Sequence, residues 1–458
     1  MSDAKVAHRA SQPQGPPTYL RLRHFLRFRS DILGFLLDCT RKYGDIVDLS
    51  LGPRTYLLNN PDDIRHVLLS SHDIYAKTRR LTGKRGRRFS GEGLLTSSGE
   101  AALNQRRLLQ PIVLPENIPG FSEIVVDATR DCLDSWRPGA VLDMADEMNR
   151  LTQRILVKVL LGLDLKGNAS ELAAAIGIRQ RHIHYAFQAI LPIPESLPTR
   201  HNRELRQAVR YLESFLETAI EARRSAAAPP PDMLSMMVRA RRKDGSAMSD
   251  NLLRDEALTL ISTGYETVGA ALAWCCYLLS QNPGEQSKLH AELRRVLSNR
   301  SPGTNDLSQL SYTEAVFNES MRLYPPTWIF VRVAQLDDLL PSGFRVRAGT
   351  KLFLSPYVTH RHPTYFPDPE RFDPARFSDA AVRSRPKFAY FPFSGGPRVC
   401  LGQTFAMAEA ALILACIGQR FFLESTPGGV VRPEPGQMLF ARNGIALRIT
   451  PLPPEYAK

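Results

Sequence analysis

A cysteine that follows a glycine-rich turn is the residue with the clearest chemical potential in this sequence. Gly395, Gly396 and Pro397 predict a tight turn, and a long apolar stretch typical of a helix begins directly after Cys400. The first amides of a helix are unpaired and carry the positive end of the helix dipole. This environment, together with the nearby charge of Arg398, favours a thiolate. Cys400 is therefore a candidate metal ligand.

The segment from residue 391 to residue 410 resembles the haem-binding segment of cytochromes P450, Phe-x-x-Gly-x-Arg-x-Cys-x-Gly. Its matching positions are Phe393, Gly396, Arg398, Cys400 and Gly402. The resemblance implies that Cys400 is the axial thiolate ligand of heme b (iron protoporphyrin IX) and that Arg398 pairs with a propionate. Gly402 would let the flat macrocycle approach the backbone closely. The alternative is an ordinary buried cysteine after a turn.

A long helix predicted between residues 250 and 281 carries the second candidate, Thr-Gly-Tyr-Glu-Thr at residues 263–267. An internal glycine costs about 1 kcal/mol relative to alanine, so Gly264 needs a reason. The segment is similar to the P450 motif on the distal side of the haem. The resemblance implies that Gly264 leaves room for dioxygen, while Glu266 and Thr267 deliver protons for O–O bond cleavage. Packing is the alternative for Gly264, and Thr263, where the family has a small apolar residue, could narrow the pocket or add a hydroxyl.

A charged pair precedes the cysteine segment. Glu319 and Arg322 have i,i+3 spacing on a predicted helix, so they can pair on one face. Because Leu-Tyr-Pro-Pro follows, they resemble the Glu-x-x-Arg motif of the P450 family. The family's third member is an arginine in Pro-x-Arg-Phe, and Arg371 and Arg376 both fit; the usual frame favours Arg376. The implied role is structural, to hold the segment that leads to Cys400.

Two more arginines are implied propionate partners. Arg332 lies on a predicted strand where the family places one. Arg106 occupies the arginine of the family's Trp-x-x-x-Arg helix, but Ala102 stands at the tryptophan position. One propionate donor is therefore missing, and Arg107 remains the alternative to Arg106.

The overall charge is +13, with a pI near 9.6. A basic chain suits either a nucleic acid or an acidic electron carrier. No zinc-finger spacing or aromatic RNA-binding motif accompanies the charge, so we expect no nucleic-acid partner. Residues 77–88 hold seven cations, either in a solvated loop or as a recognition site for a substrate carboxylate. Six cysteines without a CxxC pair indicate reduced, cytosolic chemistry.

Hydrophobic periodicity predicts a mainly helical chain with a small β component. We expect a flexible arm over residues 1–18 and a single domain over residues 19–458. Residues 19–37 mix arginines with Leu and Phe, which predicts either an ordinary first helix or a helix resting on a membrane surface. No apolar run of about 18 residues is present, so no transmembrane segment is expected. The predicted helices lie within 121–225, with a break at 191–198, and at 249–281 and 311–323; the predicted strands lie within 41–60, 328–356 and 438–450.

The resemblance covers about residues 40–420 and implies the cytochrome P450 fold, mainly α with a small β-rich lobe. It implies a haem-thiolate monooxygenase that inserts one oxygen atom of O2 into an apolar small molecule. The sequence has no Gly-rich dinucleotide motif, flavin domain or iron–sulfur cysteine set. Electrons from NAD(P)H are therefore expected through a separate ferredoxin or flavodoxin with its reductase.

The resemblance is to soluble bacterial members, which implies a cytoplasmic monomer acting in secondary metabolism. The alternatives are a peroxygenase or isomerase of the same fold, or a haem-thiolate gas sensor. The proton-delivering pair Glu266 and Thr267 argues against the first two, because neither reaction needs such a relay.

Overall fold

The computed structural model of the chain describes residues 13–52, 54–83, 86–87, 91–165, 170–189, 193–194, 196–427 and 430–452. The chain divides into two compact units. The first unit comprises Met1–Thr78, Trp328–Glu370 and Val382–Val399, and the second comprises Arg79–Thr327, Arg371–Ala381 and Cys400–Lys458. The single domain expected over residues 19–458 stays a prediction.

Helices form most of the second unit, as the periodicity predicts. In chain order the helices are α1 (Arg21–Ser30), α2 (Ile32–Tyr43), α3 (Pro61–Arg65), α4 (Arg79–Thr82), α5 (Gly99–Leu109), α6 (Ile118–Asp134), α7 (Met144–Leu161), α8 (Ser170–Gln188), α9 (Arg200–Ser225), α10 (Met233–Arg239), α11 (Asp250–Gly264), α12 (Glu266–Gln281), α13 (Pro283–Leu297), α14 (Ser311–Leu323), α15 (Pro356–Thr359), α16 (Asp379–Ser384) and α17 (Gln403–Arg420).

The strands are short. In chain order they are β1 (Ile46–Asp48), β2 (Thr55–Leu58), β3 (Tyr75–Ala76), β4 (Val141–Asp143), β5 (Phe330–Ala334), β6 (Asp338–Leu339), β7 (Arg345–Val346), β8 (Lys351–Leu354), β9 (Phe421–Ser425), β10 (Arg432–Pro435), β11 (Leu439–Arg442) and β12 (Ala446–Pro451).

The first unit is built on a five-stranded sheet with the order β1-β2-β8-β5-β3. Only the β2–β8 pairing is parallel among these strands. Leu58, Leu352 and Leu354 lie in the same buried cluster as Tyr75 and Phe391. The two strands predicted between residues 41 and 60 and those between 328 and 356 are thereby confirmed.

The N-terminal segment contains one exposed and one buried helix. The Asp31 carboxylate caps α2 by accepting a hydrogen bond from the Gly34 amide at 3.0 Å, and one face of α2 is buried. No residue of α1 is buried, and Leu22 is 73% and Leu26 59% exposed. Contact of this segment with a membrane surface therefore stays open. Within the described residues, no helix is both long and apolar enough to cross a bilayer.

Part of the predicted flexible arm lies next to β1. The amide of Asp48 donates to the carbonyl of Gln14 at 3.0 Å, and Ser50 Oγ donates to the carbonyl of Pro16 at 2.7 Å. Residues 1–12 lie outside the described residues, so the arm stays a prediction.

Helix α12 forms the core of the second unit. It is buried on nearly all sides and packs against α7, α13 and α14. The ring of Trp274 stacks on that of Tyr324 with centroids 3.9 Å apart, and its indole N–H donates to the Leu439 carbonyl at 2.9 Å. An apolar helix with its polar atoms paired is a stable centre for a domain of this size.

The long helix predicted over residues 249–281 is interrupted at Tyr265, so the prediction of one continuous helix is wrong at this residue. The Tyr265 carbonyl accepts the Gly269 amide at 2.8 Å and also the hydroxyl of Thr152 in α7 at 3.0 Å. A side chain that inserts into the helical ladder is a known cause of such distortions. The break separates α11 from α12 immediately before Glu266.

The β component of the second unit is larger than predicted. β12 pairs antiparallel with both β4 and β9, and β10 pairs with β11. β4 lies inside the region that the periodicity assigned to helices. It has only three residues, too few to display an alternating pattern, and its pairing partner β12 lies about three hundred residues away.

A buried carboxyl on α17 should make stability depend on pH. Burial raises the pKa of Glu409 from 4.5 to about 8, so the folded protein keeps a proton that the unfolded chain releases. The resulting stabilisation is fully present below pH 4.5 and is lost as the pH rises toward 8. One pKa unit corresponds to about 1.4 kcal/mol, so the loss amounts to several kcal/mol at most.

Glutamine cannot ionise. We therefore expect the free energy of unfolding of Glu409→Gln to decrease less between pH 5 and 8 than that of the wild type. Urea unfolding at several pH values measures this slope. Glu123→Gln, at an exposed position of α6, is the control and should leave the slope unchanged. Equal slopes for the wild type and Glu409→Gln would contradict the assignment.

Candidate active site

Cys400 lies three residues before the start of α17 at Gln403. Its side chain is exposed, yet the surrounding protein desolvates the thiol and raises its pKa above the usual 9.0. The Gly402 amide and the charge of Arg106 act in the opposite direction. The amide at the helix start therefore acts on the thiol as the sequence predicts, and the role of Cys400 as a ligand stays a prediction. Desolvation dominates, and the cation that lowers the pKa is Arg106.

The structure separates the two candidate arginines of α5. Arg106 is half-buried; burial lowers its pKa, and interaction with Cys400 raises it. Arg107 is exposed, and its guanidinium donates to Asn104 Oδ1 at 3.2 Å. Arg106 is thus the arginine of this helix that interacts with Cys400.

The glycine-rich turn belongs to the first unit and requires glycine at one position. Gly396 has a φ of +65°, and a Cβ there would lie 2.0 Å from the carbonyl oxygen of Leu68, so no other residue fits. Phe393, three residues earlier, is half-buried. Gly402, in the second unit, differs: a Cβ there would meet no atom within 4 Å. Its lack of a side chain leaves open space beside the backbone.

Two neighbouring cations in the first unit lack an acidic partner. Burial and then the charge of Arg398 lower the pKa of Arg332 to about 10, and burial also lowers the pKa of Arg398. Arg332 donates to the Val331 carbonyl at 3.2 Å, and Arg398 donates to the Tyr75 carbonyl at 2.6 Å. Neither forms an ion pair with a carboxylate of the described residues. Two such guanidiniums are a binding site for an anion.

Glu266 is buried at the start of α12, with 7% of its surface exposed. Two side chains of α8 hold its carboxylate. Gln180 Nε2 donates to Oε2, and His184 Nε2 lies 3.1 Å from Oε2 and 3.3 Å from Oε1. A buried carboxylate requires such partners, so α8 fixes its position.

The hydroxyl of Thr267 lies one turn from that of Thr263. Thr267 Oγ1 donates to the carbonyl of Thr263 at 2.9 Å, and Thr263 Oγ1 donates to the carbonyl of Thr259 at 2.8 Å. Thr263 and Thr267 are both half-buried. Each hydroxyl proton is held by a carbonyl of α11, and the oxygen can still accept a hydrogen bond.

Gly264 lies against α7, and the expectation that it leaves room for dioxygen stays a prediction. A Cβ at this position would lie 2.9 Å from one methyl group of Leu156 in α7 and 3.1 Å from the other. The missing side chain therefore lets α11 and α7 approach each other. This close approach also fits the alternative, a packing glycine.

The charged pair of α14 is fully buried. Arg322 donates to both oxygens of Glu319 at 2.7 Å, and Glu319 Oε1 also accepts the Asp373 amide at 2.9 Å. Burial raises the pKa of Glu319, and Arg322 opposes this rise. The guanidinium of Arg376 lies 3.6 Å from Glu319, whereas Arg371 contributes only its carbonyl, which Arg322 contacts at 3.0 Å.

The cation-rich segment 77–88 is partly engaged by the protein. Arg80 donates to the Ala186 carbonyl at 3.0 Å, and Arg87 lies 2.7 Å from the carboxylate of Glu92. Residues 84, 85 and 88 lie outside the described residues. Recognition of a substrate carboxylate by this segment stays a hypothesis.

Comparison with known proteins adds the decisive observation. A family model described as cytochrome P450 matches residues 13–451. The chain belongs to the cytochrome P450 family. It is a haem-thiolate monooxygenase.

Two curated P450 relatives come from Streptomyces melanosporofaciens. A cyclooctat-9-en-7-ol 5-monooxygenase is 36% identical over 84% of this chain and 84% of its own length. A cyclooctatin synthase is 34% identical over 90% of this chain and 89% of its own length. Among solved structures, the haem domain of cytochrome P450DA superposes with a TM-score of 0.86 at 21% identity, covering 98% and 99% of the two chains. The similarity to this haem domain confirms the predicted cytochrome P450 fold.

The residues of this P450 fit a haem in two respects. An accessible sulfur at Cys400, beside the charge of Arg106, is a suitable iron ligand. The guanidiniums of Arg332 and Arg398 lack carboxylate partners among the described residues and suit propionates.

The sequence reasoning missed Gln180 and His184, which hold Glu266. Their i,i+4 spacing places them on one face of α8, and this was the available signal. Such a pair is common on exposed helices, so its partner could only be found in the fold.

The two candidate arginines of the ion-pair network should differ in their effect on stability. Arg376→Ala removes a cation beside the buried carboxylate of Glu319, so we expect a loss of about 2 kcal/mol in the free energy of unfolding. Arg371→Ala keeps the carbonyl that Arg322 contacts and should stay within about 0.5 kcal/mol of the wild type. Urea unfolding of both variants makes the measurement. A larger loss for Arg371→Ala would favour that residue as the third member.

Proposed function

We propose that Cys400 is the thiolate ligand of the haem iron in this monooxygenase. The proposal rests on one observation. The exposed Cys400 accepts a hydrogen bond from the Gly402 amide and interacts with the charge of Arg106. Both interactions favour the anionic sulfur, whose pKa the protein otherwise raises. Phe393, Gly396 and the rest of the family segment support the assignment.

We infer that three arginines hold the haem propionates. Arg332 is buried, Arg398 is half-buried, and Arg106 interacts with Cys400. Arg–carboxylate pairs of this kind are strong and directional. A haem bound through them would gain orientation as well as affinity.

We propose that Glu266 and Thr267 deliver protons. Monooxygenation places one atom of O2 in the substrate and releases the other as water, which consumes two electrons and two protons. The bound haem supplies the oxidising chemistry. Glu266 is a buried acid held by α8, and Thr267 is the adjacent residue with an accessible hydroxyl oxygen. Together they can move a proton from the protein to the reacting oxygen.

We infer an apolar substrate of cyclic alkene or alicyclic alcohol character. The support is the relative named for cyclooctat-9-en-7-ol, a cyclic compound with one double bond and one hydroxyl. The accessible face of α11 adds a mixed surface, with half-buried Leu260 and Thr263. A largely hydrocarbon ligand with one polar group would match it.

We propose that the electrons come from NAD(P)H through a ferredoxin or flavodoxin with its reductase, in the cytoplasm. The net charge of +13 supports an acidic carrier, because complementary fields accelerate encounter.

Replacing the proposed ligand should abolish the thiolate spectrum. Reduced, carbon monoxide-bound wild-type protein is expected to have a red-shifted Soret band. Cys400→Ala should lack this band, because no sulfur then reaches the iron. Cys416→Ala, at a buried position of α17, is the matched control and should keep it. A thiolate spectrum from Cys400→Ala would rule out the ligand assignment.

The proposed proton pathway should control the yield of product per electron pair. Thr267→Val keeps the shape of the side chain but removes the hydroxyl, so we expect O2 consumption to continue while product falls by about 10²-fold and hydrogen peroxide rises. Thr263→Val, one turn away, should keep most of the yield. Product and peroxide are quantified against NAD(P)H consumed. Equal losses in both variants would argue against a specific role of Thr267.

A further inference from the structure

The two side chains that hold Glu266 differ in what they can do with a proton. Gln180 donates a hydrogen bond from an amide, which does not exchange its charge near neutral pH. His184 offers an imidazole, whose charge ordinarily changes between about pH 5 and 8. Only His184 of this pair can therefore pass a proton to Glu266 and later take up another.

The exposure of the two groups favours the same direction of transfer. The side chain of Glu266 is 8% exposed, and that of His184 is 21% exposed. His184 Nε2 lies 3.1 Å from the carboxylate, so the more exposed group of the pair is in direct contact with the buried acid. The ring of Phe440 in β11 lies against that of His184, with centroids 4.8 Å apart. This contact restrains the imidazole in this position.

Among the charged groups around this pair, Glu266 is the one that His184 contacts directly. In the β10–β11 hairpin, Arg442 and Glu434 pair with each other at 3.7 Å. The phenol of Tyr265, between α11 and α12, interacts with the charges of Glu266 and of Arg179 and Arg181 in α8. Arg179 donates to Ser262 Oγ, and guanidiniums do not release protons at these pH values.

We propose that His184 is a positioning residue that recharges Glu266 with protons during turnover. In each transfer His184 Nε2 gives its proton to the Glu266 carboxylate, and the neutral imidazole regains a proton from solvent. No electron moves, and the net charge of the pair is unchanged by the internal transfer. The inference rests on the proposed role of Glu266 as the acid of the monooxygenation.

The test compares the yield of product per NAD(P)H consumed in His184→Gln with that of the wild type between pH 5.5 and 9. Glutamine keeps a donor for Glu266 but cannot exchange charge. We expect a yield lower by roughly 10-fold at pH 6.5, at the lower end of general acid effects, with more hydrogen peroxide. The yield of the wild type should fall as the pH rises, because histidine side chains supply protons less readily at higher pH, whereas that of the variant should be flat.

Two further variants separate proton transfer from structure. His184→Lys, which stays charged to higher pH, should recover part of the yield and move its decline upward in pH. His201→Gln removes an exposed imidazole that lies 2.6 Å from His182 rather than contacting Glu266, and it should behave as the wild type. An unchanged Soret band of the reduced, carbon monoxide-bound form checks that each variant is folded.

The outcomes distinguish this inference from the proposed function. If Glu266→Gln lowers the yield but His184→Gln keeps the wild-type yield and pH profile, the inference is wrong and the role of Glu266 stands. If Glu266→Gln keeps the wild-type yield, the proposed proton pathway itself is wrong.

Discussion

A fully buried ion pair on α14 holds together several parts of the second unit. Taking two charges out of water costs several kcal/mol each unless their remaining hydrogen-bonding positions are filled. Glu319 and Arg322 satisfy this condition with the amide of Asp373, the carbonyl of Arg371 and the guanidinium of Arg376. The partners come from the chain segment that continues toward the cysteine turn. The requirement to neutralise a buried carboxylate thus helps to fix the loop that carries Arg371, Asp373 and Arg376.

Opposing effects act on the pKa of the Cys400 thiol, and their relative magnitudes decide the direction of its shift. Helix-terminal amides contribute on the order of 1 kcal/mol to the stability of an anion, whereas burial can shift a pKa by several units. In this protein burial dominates, although the Gly402 amide and Arg106 both favour the thiolate. A sequence reveals the amides and the cations of a motif, but the number of protein atoms around a sulfur depends on the whole fold. The direction of the shift was therefore not predictable from the motif.

Local patterns predicted the fold, and the errors have a common origin. The cysteine segment and the Glu319–Arg322 pair depend on short spacings, which a sequence displays directly. By contrast, the carbonyl at the break, that of Tyr265, accepts the hydroxyl of Thr152, more than a hundred residues earlier. The strand β4 needed its distant partner β12. Similarly, the partners of Glu266 come from α8, and no spacing within the motif indicates them. What the sequence left undetermined was contact between distant segments.

The close packing at Gly264 has a consequence for redesign of substrate range. A methyl group at this position would meet the terminal methyl groups of Leu156 in α7, so the Leu156 side chain would have to move aside before the glycine could be replaced. Leu260 and Thr263 are half-buried on the same helix, so their side chains can change in volume with less effect on its path. A mutant library aimed at bulkier or smaller ligands should vary these two positions and keep the glycine, which preserves the catalytic geometry while the cavity is reshaped.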